Sequence, residues 1–377
     1  MIPKTPILGF GAMRLPTFPK DGEKNQWNNS GPIDVEQVKL MFDWYLDAGF
    51  NYFDTGYAYH GGKSEEVVGE ALVKRHRRDK FTVATKLPLW EIRNDASARN
   101  IFATQMKRTG AEYFDFYLLH GVTAEFGGMM EKFGIYDHMK ALKKEGKVRH
   151  IGMSFHDTGP VLDKILTDHP EMEFVQLQIN CFDMMLGHAR DWYEAARRHN
   201  VPIIVMEPVR GGTLARLPES ALAVLREAAP GASPASWALR YAASLPGVVT
   251  TLSGMSALEQ VRDNCRTFTD FKPLTAEEEK ILALALEKQG LESDVPCTGC
   301  NYCISACPGG IEIPVAFSTY NEFMRTRNSW NLGLTYRAIP EGRRAGDCAA
   351  CGACLERCPQ KIDIPGELRK VAEAMEK

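Results

Sequence analysis

The chain is poor in the features that mark several broad protein classes. It has 377 residues and a formal net charge of −3, with 45 Lys and Arg against 48 Asp and Glu. There is no basic excess to draw it to nucleic acid or to an anionic membrane surface. The longest strongly apolar runs, such as Val201 to Met206, are far too short to span a bilayer. Met1-Ile2-Pro3-Lys4-Thr5 has no basic stretch followed by an apolar one. No signal peptide is expected, and the expected location is cytoplasmic. Cysteine is nearly absent from most of the chain: only Cys181 and Cys265 precede Cys297. Isolated as they are, these two read as small buried hydrophobes. Leu8-Gly9-Phe10-Gly11-Ala12-Met13-Arg14 lacks the third glycine of a Gly-x-Gly-x-x-Gly turn, which counts against an open dinucleotide-binding sheet.

A long alternation of short apolar segments and amphipathic ones is present. With 44% hydrophobic residues, the chain can bury one large core and something smaller. Strands are expected at Ile7–Phe10, Phe50–Asp54, Phe81–Lys86, Phe114–His120, His150–Ser154, Glu173–Ile179, Val201–Met206 and Val248–Leu252. Helical spacing follows each of them, as in Val38, Met41, Phe42, Tyr45 and Leu46 behind an N-cap at Asp34. Lys63–His76, Thr158–Thr167, His188–His199 and Pro234–Ser244 read the same way. Thr275 with Glu278 forms a capping box ahead of a last helix that Gly290 ends. Thr17 to Pro32 is a polar loop. Eight strand-then-helix units in about 270 residues fit a closed (β/α)8 TIM barrel, with a doubly wound open sheet as the alternative. Composition changes near residue 290, so a barrel is expected over 1–290 and a smaller domain over 291–377.

In such a barrel, chemistry sits at the C-terminal ends of the strands. The second strand ends in Asp54, the third in Lys86 and the fourth in His120, with Tyr59 just past the second. A buried carboxylate needs a cation, and Lys86 supplies one to Asp54. A lysine held near Tyr59 favours the phenolate, so the phenol becomes a better proton donor near neutral pH. His120 can donate a hydrogen bond to the same oxygen. The chemistry this suits is carbonyl reduction, with a hydride delivered to carbon and a proton to oxygen.

Phe53-Asp54-Thr55-Gly56-Tyr57-Ala58-Tyr59, followed by Gly69, resembles the signature of the aldo-keto reductases, and the resemblance runs from about residue 5 to residue 288. It implies a (β/α)8 barrel and NAD(P)H-dependent reduction of aldehydes or ketones. It implies Tyr59 as general acid, Asp54 and Lys86 as the groups that tune it, and His120 as the group that orients the carbonyl. Ser154 and Gln176 match the positions that hold the nicotinamide carboxamide. Gly254, Gln260 and Asn264 match the pyrophosphate- and adenosine-binding segment. Backbone N–H groups at a helix start suit a phosphate. The chain departs from the family in having Phe155 then His156 after Ser154, Met206 where an aromatic residue commonly stacks on the nicotinamide, and Ser256 where NADPH-preferring members often carry Arg or Lys. Arg262 is either a partner for a 2′-phosphate or part of a solvated helix face, and Arg210 either a partner for an anionic substrate or phosphate or one side of a surface salt bridge. The choice between NADH (NAD) and NADPH (NADP) stays open.

The remaining eight cysteines fall into two runs. Cys297, Cys300, Cys303 and Cys307 are separated by two, two and three residues and followed by Pro308. Cys348, Cys351, Cys354 and Cys358 repeat the spacing and are followed by Pro359. This is the bacterial ferredoxin pattern for two [4Fe–4S] clusters, in which the fourth cysteine reaches the other cluster. Cys297, Cys300, Cys303 and Cys358 are assigned to one cluster; Cys348, Cys351, Cys354 and Cys307 to the other. Zinc sites prefer two separated Cys pairs. Between the runs, Val315 to Met324 reads as a helix whose Phe317, Tyr320 and Phe323 cover the clusters or pack against the barrel. The expected activity is that of an oxidoreductase acting on a small carbonyl or alcohol, with clusters exchanging electrons with ferredoxin or another carrier. The alternatives are clusters that serve structure alone, and a non-catalytic redox or ligand sensor built on a reductase barrel.

Overall fold

The computed structural model describes residues 5–18, 31–185, 189–288, 295–326, 336 and 339–376. Most of the loop expected at Thr17–Pro32, the expected helix start at His188 and the expected boundary at residue 290 lie outside the described residues. The chain forms two compact units: residues 1–209 with 229–280, and residues 210–228 with 281–377.

In chain order the elements are β1 (Leu8–Gly11), α1 (Val35–Asp47), β2 (Tyr52–Asp54), α2 (Lys63–Val68), β3 (Thr82–Pro88), α3 (Ser97–Thr109), β4 (Phe114–Val122), α4 (Gly127–Lys132), α5 (Ile135–Lys144), β5 (Val148–Phe155), α6 (Gly159–Asp168), β6 (Val175–Gln178), α7 (Cys181–Met185), α8 (Arg190–Arg198), β7 (Ile203–Met206), α9 (Glu219–Ala228), α10 (Pro234–Ser244), β8 (Val248–Gly254), α11 (Leu258–Thr269) and α12 (Ala276–Glu287). They are followed by α13 (Tyr302–Ala306), α14 (Ile313–Thr326) and α15 (Ile364–Met375). The eight strands pair in sequence order and close, β8 onto β1, into an all-parallel barrel. The closed barrel is realised, and the open doubly wound sheet is not.

Strand alternation separates two cores. Tyr52, Ala84, Phe116, Leu118, Phe174, Ile204 and Leu252 form a buried cluster of their own, the filling of the barrel. The residues between them in sequence, such as Phe53, Val83, Tyr117 and Val205, join the larger core between sheet and helices. There Phe53 meets Phe10, Phe42 and Tyr45 at ring distances of 4.8 to 5.9 Å. The Tyr45 hydroxyl donates to the carbonyls of Leu8 and Tyr52, tying α1 to two strands.

The expected caps are present. Asp34 Oδ1 accepts from Gln37 N at 3.0 Å. Thr275 Oγ1 accepts from Glu278 N while Glu278 Oε2 accepts from Thr275 N, at 3.2 and 2.8 Å. The single helix expected at Lys63–His76 is instead α2 followed by a π-type turn, Gly69–Val73. The end of α3 presses on this place: a β-carbon on Gly69 would lie 2.6 Å from the Thr109 carbonyl oxygen and 2.7 Å from that of Arg108.

The second unit has its own core, built on Ile311, Ile313, Phe317, Ile362, Ile364, Leu368 and Cys303, Cys354 and Cys358. Its two cysteine runs repeat in backbone as well as in sequence. Gly299 and Asn301 flank Cys300 with left-handed φ of 66° each; Ala350 and Gly352 flank Cys351 with φ of 52° and 76°. Gly310 and Lys361, each three residues past the last cysteine of its run, are left-handed too. The runs continue as Ile311-Glu312-Ile313-Pro314 and Ile362-Asp363-Ile364-Pro365, which open α14 and α15. Proline at a helix start suits its fixed φ and missing N–H.

Candidate functional site

The alternation that fills the barrel also fixes what faces its mouth. Two residues beyond Tyr52, Ala84, Leu118, Phe174, Ile204 and Leu252 lie Asp54, Lys86, His120, Gln176, Met206 and Gly254, on the same inward face. The sheet register seats Asp54 beside Ala84, Lys86 beside Leu118, and Ser154 beside Gln176. Lys86 and His120 were expected as the last residues of their strands. Both strands run two residues further, to Pro88 and Val122.

Lys86 Nζ donates to Asp54 Oδ1 and, at 2.8 Å, to the Thr55 carbonyl. Lys86 is fully buried and Asp54 nearly so. The second Asp54 oxygen accepts from Gln176 Nε2 at 3.1 Å. Burial pushes the Asp54 carboxyl up, against the opposing pull of Lys86 and Gln176. Burial likewise pushes the Lys86 ammonium down, against Asp54 and Glu65. The two shifts express one cost, that of taking charges out of water, and the ion pair offsets it.

Tyr59 is buried, its ring centroid 4.8 Å from Lys86 Nζ and 5.7 Å from the His120 ring, edge-on. Its ring lies against Gly56, where a β-carbon would come within 3.1 to 3.3 Å of three ring carbons. Burial drives the pKa of His120 well below its ordinary value, and the charges at Lys86 and His156 add to the effect. The imidazole is therefore neutral at neutral pH, with one N–H to donate. The Trp90 ring packs 4.8 Å from it.

Behind this group stands a buried network that the sequence reading did not single out. Glu65, without solvent exposure, accepts from Thr85 Oγ1 at 2.7 Å, Gln105 Nε2 at 2.7 Å and Arg108 Nη1 at 3.1 Å. Gln105 also donates to the Lys86 carbonyl and accepts from the Tyr117 hydroxyl. Arg108 donates to the Tyr57 carbonyl and stacks on the Tyr57 ring. The network thus clamps β3 at Lys86 and the loop that carries Tyr59. Glu65 and Arg108 looked like ordinary polar positions on helices, and no local signal marks them. His60, beside Tyr59, is held in a left-handed conformation, and its Nε2 accepts from Leu15 N at 3.2 Å. Burial lowers its pKa to about 4.

The residues matched to nucleotide binding lie around the same mouth. Ser154 Oγ contacts His156 Nε2 at 3.2 Å and Met206 Sδ at 3.8 Å. Gly254 ends β8 with the Arg14 side chain across it, and Arg14 pairs with Glu207 at 3.3 Å. Gln260 Oε1 accepts from Ser256 N at the start of α11, and Asn264 Nδ2 donates to Ser253 Oγ. Arg262 sits over the Trp44 ring at 4.6 Å. Arg210 is buried, not a surface side chain.

In the second unit, Cys297, Cys300, Cys303 and Cys358 border one recess, with Phe317 and Ile364 among its apolar walls. Burial raises the Cys303 thiol pKa, and Cys300, Cys297 and Cys358 are the thiols close enough to raise it further. Cys354 is raised in the same way by burial, with Cys348, Cys307 and Cys351 as its neighbours. Each of these groups of neighbouring thiols includes one cysteine from the other run: Cys358 beside Cys303, and Cys307 beside Cys354. Among the described residues no three such side chains converge on a point for a single ion; the first group borders the wider recess instead. Main-chain N–H groups point at the sulfurs: Gly299 N at Cys297 Sγ and Ile311 N at Cys307 Sγ, both 3.4 Å. Thiol donors, apolar walls and N–H···S contacts fit iron–sulfur ligation.

A model of the aldo/keto reductase family matches residues 8–286, and one of the 4Fe-4S dicluster domain matches residues 296–362. The chain is 26% identical over 305 residues to "Uncharacterized oxidoreductase YqkF" of Bacillus subtilis (strain 168), covering 73% of this chain and 90% of that protein. It is 25% identical over 292 residues to the NADH-specific methylglyoxal reductase of Escherichia coli (strain K12), covering 63% and 84%. Among solved structures it is similar to the holo form of aldo-keto reductase AKR11C1 from Bacillus halodurans, with a TM-score of 0.59 and 26% identity over 74% of this chain and 91% of that one.

Proposed function

The chain belongs to the aldo/keto reductase family and ends in a 4Fe-4S dicluster domain, and from that premise we propose that it interconverts a small carbonyl compound and its alcohol. The observation that carries this is the buried Asp54–Lys86 pair beside Tyr59 and His120 on one inward face of three neighbouring strands. A nicotinamide dinucleotide would supply the hydride when bound, with Ser154 and Gln176 holding it at the carboxamide and Gly254, Gln260 and Asn264 at the pyrophosphate and adenosine.

The chain's own residues supply the proton and its placement. Lys86 spends two of its three N–H donors on Asp54 and Thr55. Its remaining charge stabilises a developing phenolate on Tyr59, so Tyr59 gives its proton to the carbonyl oxygen as hydride reaches carbon. Neutral His120 donates a hydrogen bond to that oxygen and orients it. In the reverse direction Tyr59 takes the alcohol proton.

The two thiol sets would hold two [4Fe–4S] clusters, which when bound supply one-electron sites for exchange with ferredoxin or a similar carrier. We assign the barrel to residues 1–290 and the iron–sulfur domain to 291–377, with the segments 210–228 and 281–290 grouping in space with the latter. The test is turnover of an aldehyde panel by NADH and NADPH, in protein purified without oxygen. Tyr59→Phe should lower kcat by about 100-fold or more with little change in cofactor affinity. Unchanged turnover would remove Tyr59 from the mechanism. Cys300→Ser should leave that turnover standing and abolish electron exchange with reduced ferredoxin; loss of stability alone would make the clusters structural.

A further inference from the structure

The first cysteine loop has a neighbour that is remote in sequence. Within the second unit, Gly211 lies against Thr298, between Cys297 and Cys300. A β-carbon on Gly211 would be 2.9 Å from both Cα and the carbonyl oxygen of Thr298, and 3.1 Å from its carbonyl carbon. These are main-chain atoms, so no side-chain rotation relieves the clash. Thr298 is itself buried.

The segment is shaped for this contact. Arg210, Gly211 and Gly212 are left-handed in succession, with φ of 48°, 65° and 94°. Such a conformation is costly for Arg210, which has a β-carbon, and the Thr213 hydroxyl closes the turn by donating to the Arg210 carbonyl at 2.8 Å. Further along, burial lowers the Arg216 pKa while Glu322 of α14 opposes the shift, and Ser220 Oγ donates to the Lys288 carbonyl at 3.1 Å. The stretch 210–228 is therefore held by other parts of the iron–sulfur unit at several points. On the far side of Thr298, Gly299 N donates to Cys297 Sγ. A shift of Thr298 would disturb that N–H···S contact, which stabilises a thiolate ligand.

We infer that Gly211 is the seat of the first cysteine loop: its missing side chain lets the segment Arg210–Ala215 press on Thr298 and hold Cys297 and Cys300 at the spacing one [4Fe–4S] cluster needs. Gly211 is a positioning residue and touches no reacting atom. The inference rests on the cluster reading above.

The test compares full-length Gly211→Ala with wild type and with Gly146→Ala, all purified without oxygen. Gly146 is left-handed at φ 72° with nothing near its β-carbon position, so it carries the backbone penalty without the clash. Iron and sulfide content, the EPR spectrum of the reduced protein and amide hydrogen exchange over 297–303 are measured. Gly211→Ala should lose about half of the iron, or shift one of two midpoint potentials, and exchange at least about tenfold faster at 298–301. Gly146→Ala should match wild type in all three. If Gly211→Ala does not accumulate as a folded chain, Thr213→Val loosens the same turn and should show the same effects at smaller size. Unchanged iron, spectrum and exchange in the folded variant would overturn the inference. Should wild type itself carry no iron or sulfide, the cluster reading fails, and exchange at 298–301 alone decides whether Gly211 seats the loop.

Discussion

Replacing Lys86 by Met keeps the length and apolar volume of the side chain and removes its charge. Asp54 is then left buried with Gln176 as its remaining hydrogen-bond donor. Removing one partner of a buried pair costs about 3–5 kcal/mol when the other stays charged. That is a large share of the stability of an ordinary domain. The burial that already raises Asp54 acts harder once Lys86 is gone, so the folded chain binds a proton that the unfolded chain releases. The sign follows from linkage. A carboxyl whose folded pKa lies above its unfolded value is stabilising at low pH, and that contribution is lost as pH rises from the unfolded value through the folded one. The Lys86→Met penalty should therefore be smaller near pH 5 than at pH 7.5. Asp54→Asn combined with Lys86→Met should recover about 2 kcal/mol or more, because no charge is left buried. Urea unfolding of the barrel, followed by tryptophan fluorescence at both pH values, reads each quantity. A penalty below about 1 kcal/mol, or one that does not change with pH, would refute the claim that the pair is charged and offsets its own burial.

The pKa of His60 falls from 6.5 to about 4 on folding; at about 1.4 kcal/mol for each pH unit this removes about 3 kcal/mol of stability as pH drops through that window. His60→Gln should abolish that part of the acid sensitivity in the same unfolding assay. Gly56→Ala should push the Tyr59 ring by a few tenths of an ångström and lower kcat more than it changes KM, as read by steady-state kinetics. Lys361→Gly relieves a left-handed lysine at the place where the first run has Gly310, and should stabilise the iron–sulfur unit by about 1 kcal/mol in thermal unfolding.

Much of the barrel and its mouth could be read from sequence because both follow from periodicity. Buried parallel strands stand out as short apolar runs, and a period of two places Asp54, Lys86 and His120 on one face wherever the strands end. The end positions themselves were less legible: β3 and β4 continue past Lys86 and His120, since Leu87-Pro88 and Gly121-Val122 carry no strand signal stronger than a turn. The cysteine spacing was enough to mark the 4Fe-4S domain, because chelation is a local constraint that leaves a local pattern. What escaped was long-range. Glu65 pairs with Arg108, 43 positions away, and Arg14 with Glu207, 193 positions away; neither pairing changes the helical or strand pattern around it. Residues 210–228 fall within the expected barrel region 1–290, yet they group with the iron–sulfur residues. Nothing local distinguishes a glycine kept for a turn from one kept for the backbone of Thr298.

The central claim is that Tyr59 delivers a proton while hydride moves between a nicotinamide ring and a carbonyl carbon. Its most direct test is transfer of deuterium from nicotinamide dinucleotide labelled at the reactive ring carbon, in single turnover with an aldehyde, for wild type and Tyr59→Phe. The account predicts deuterium on the carbinol carbon with wild type, and transfer slowed by about 100-fold or more in Tyr59→Phe at saturating cofactor. Absence of deuterium from the product, or equal rates in the two proteins, would contradict it.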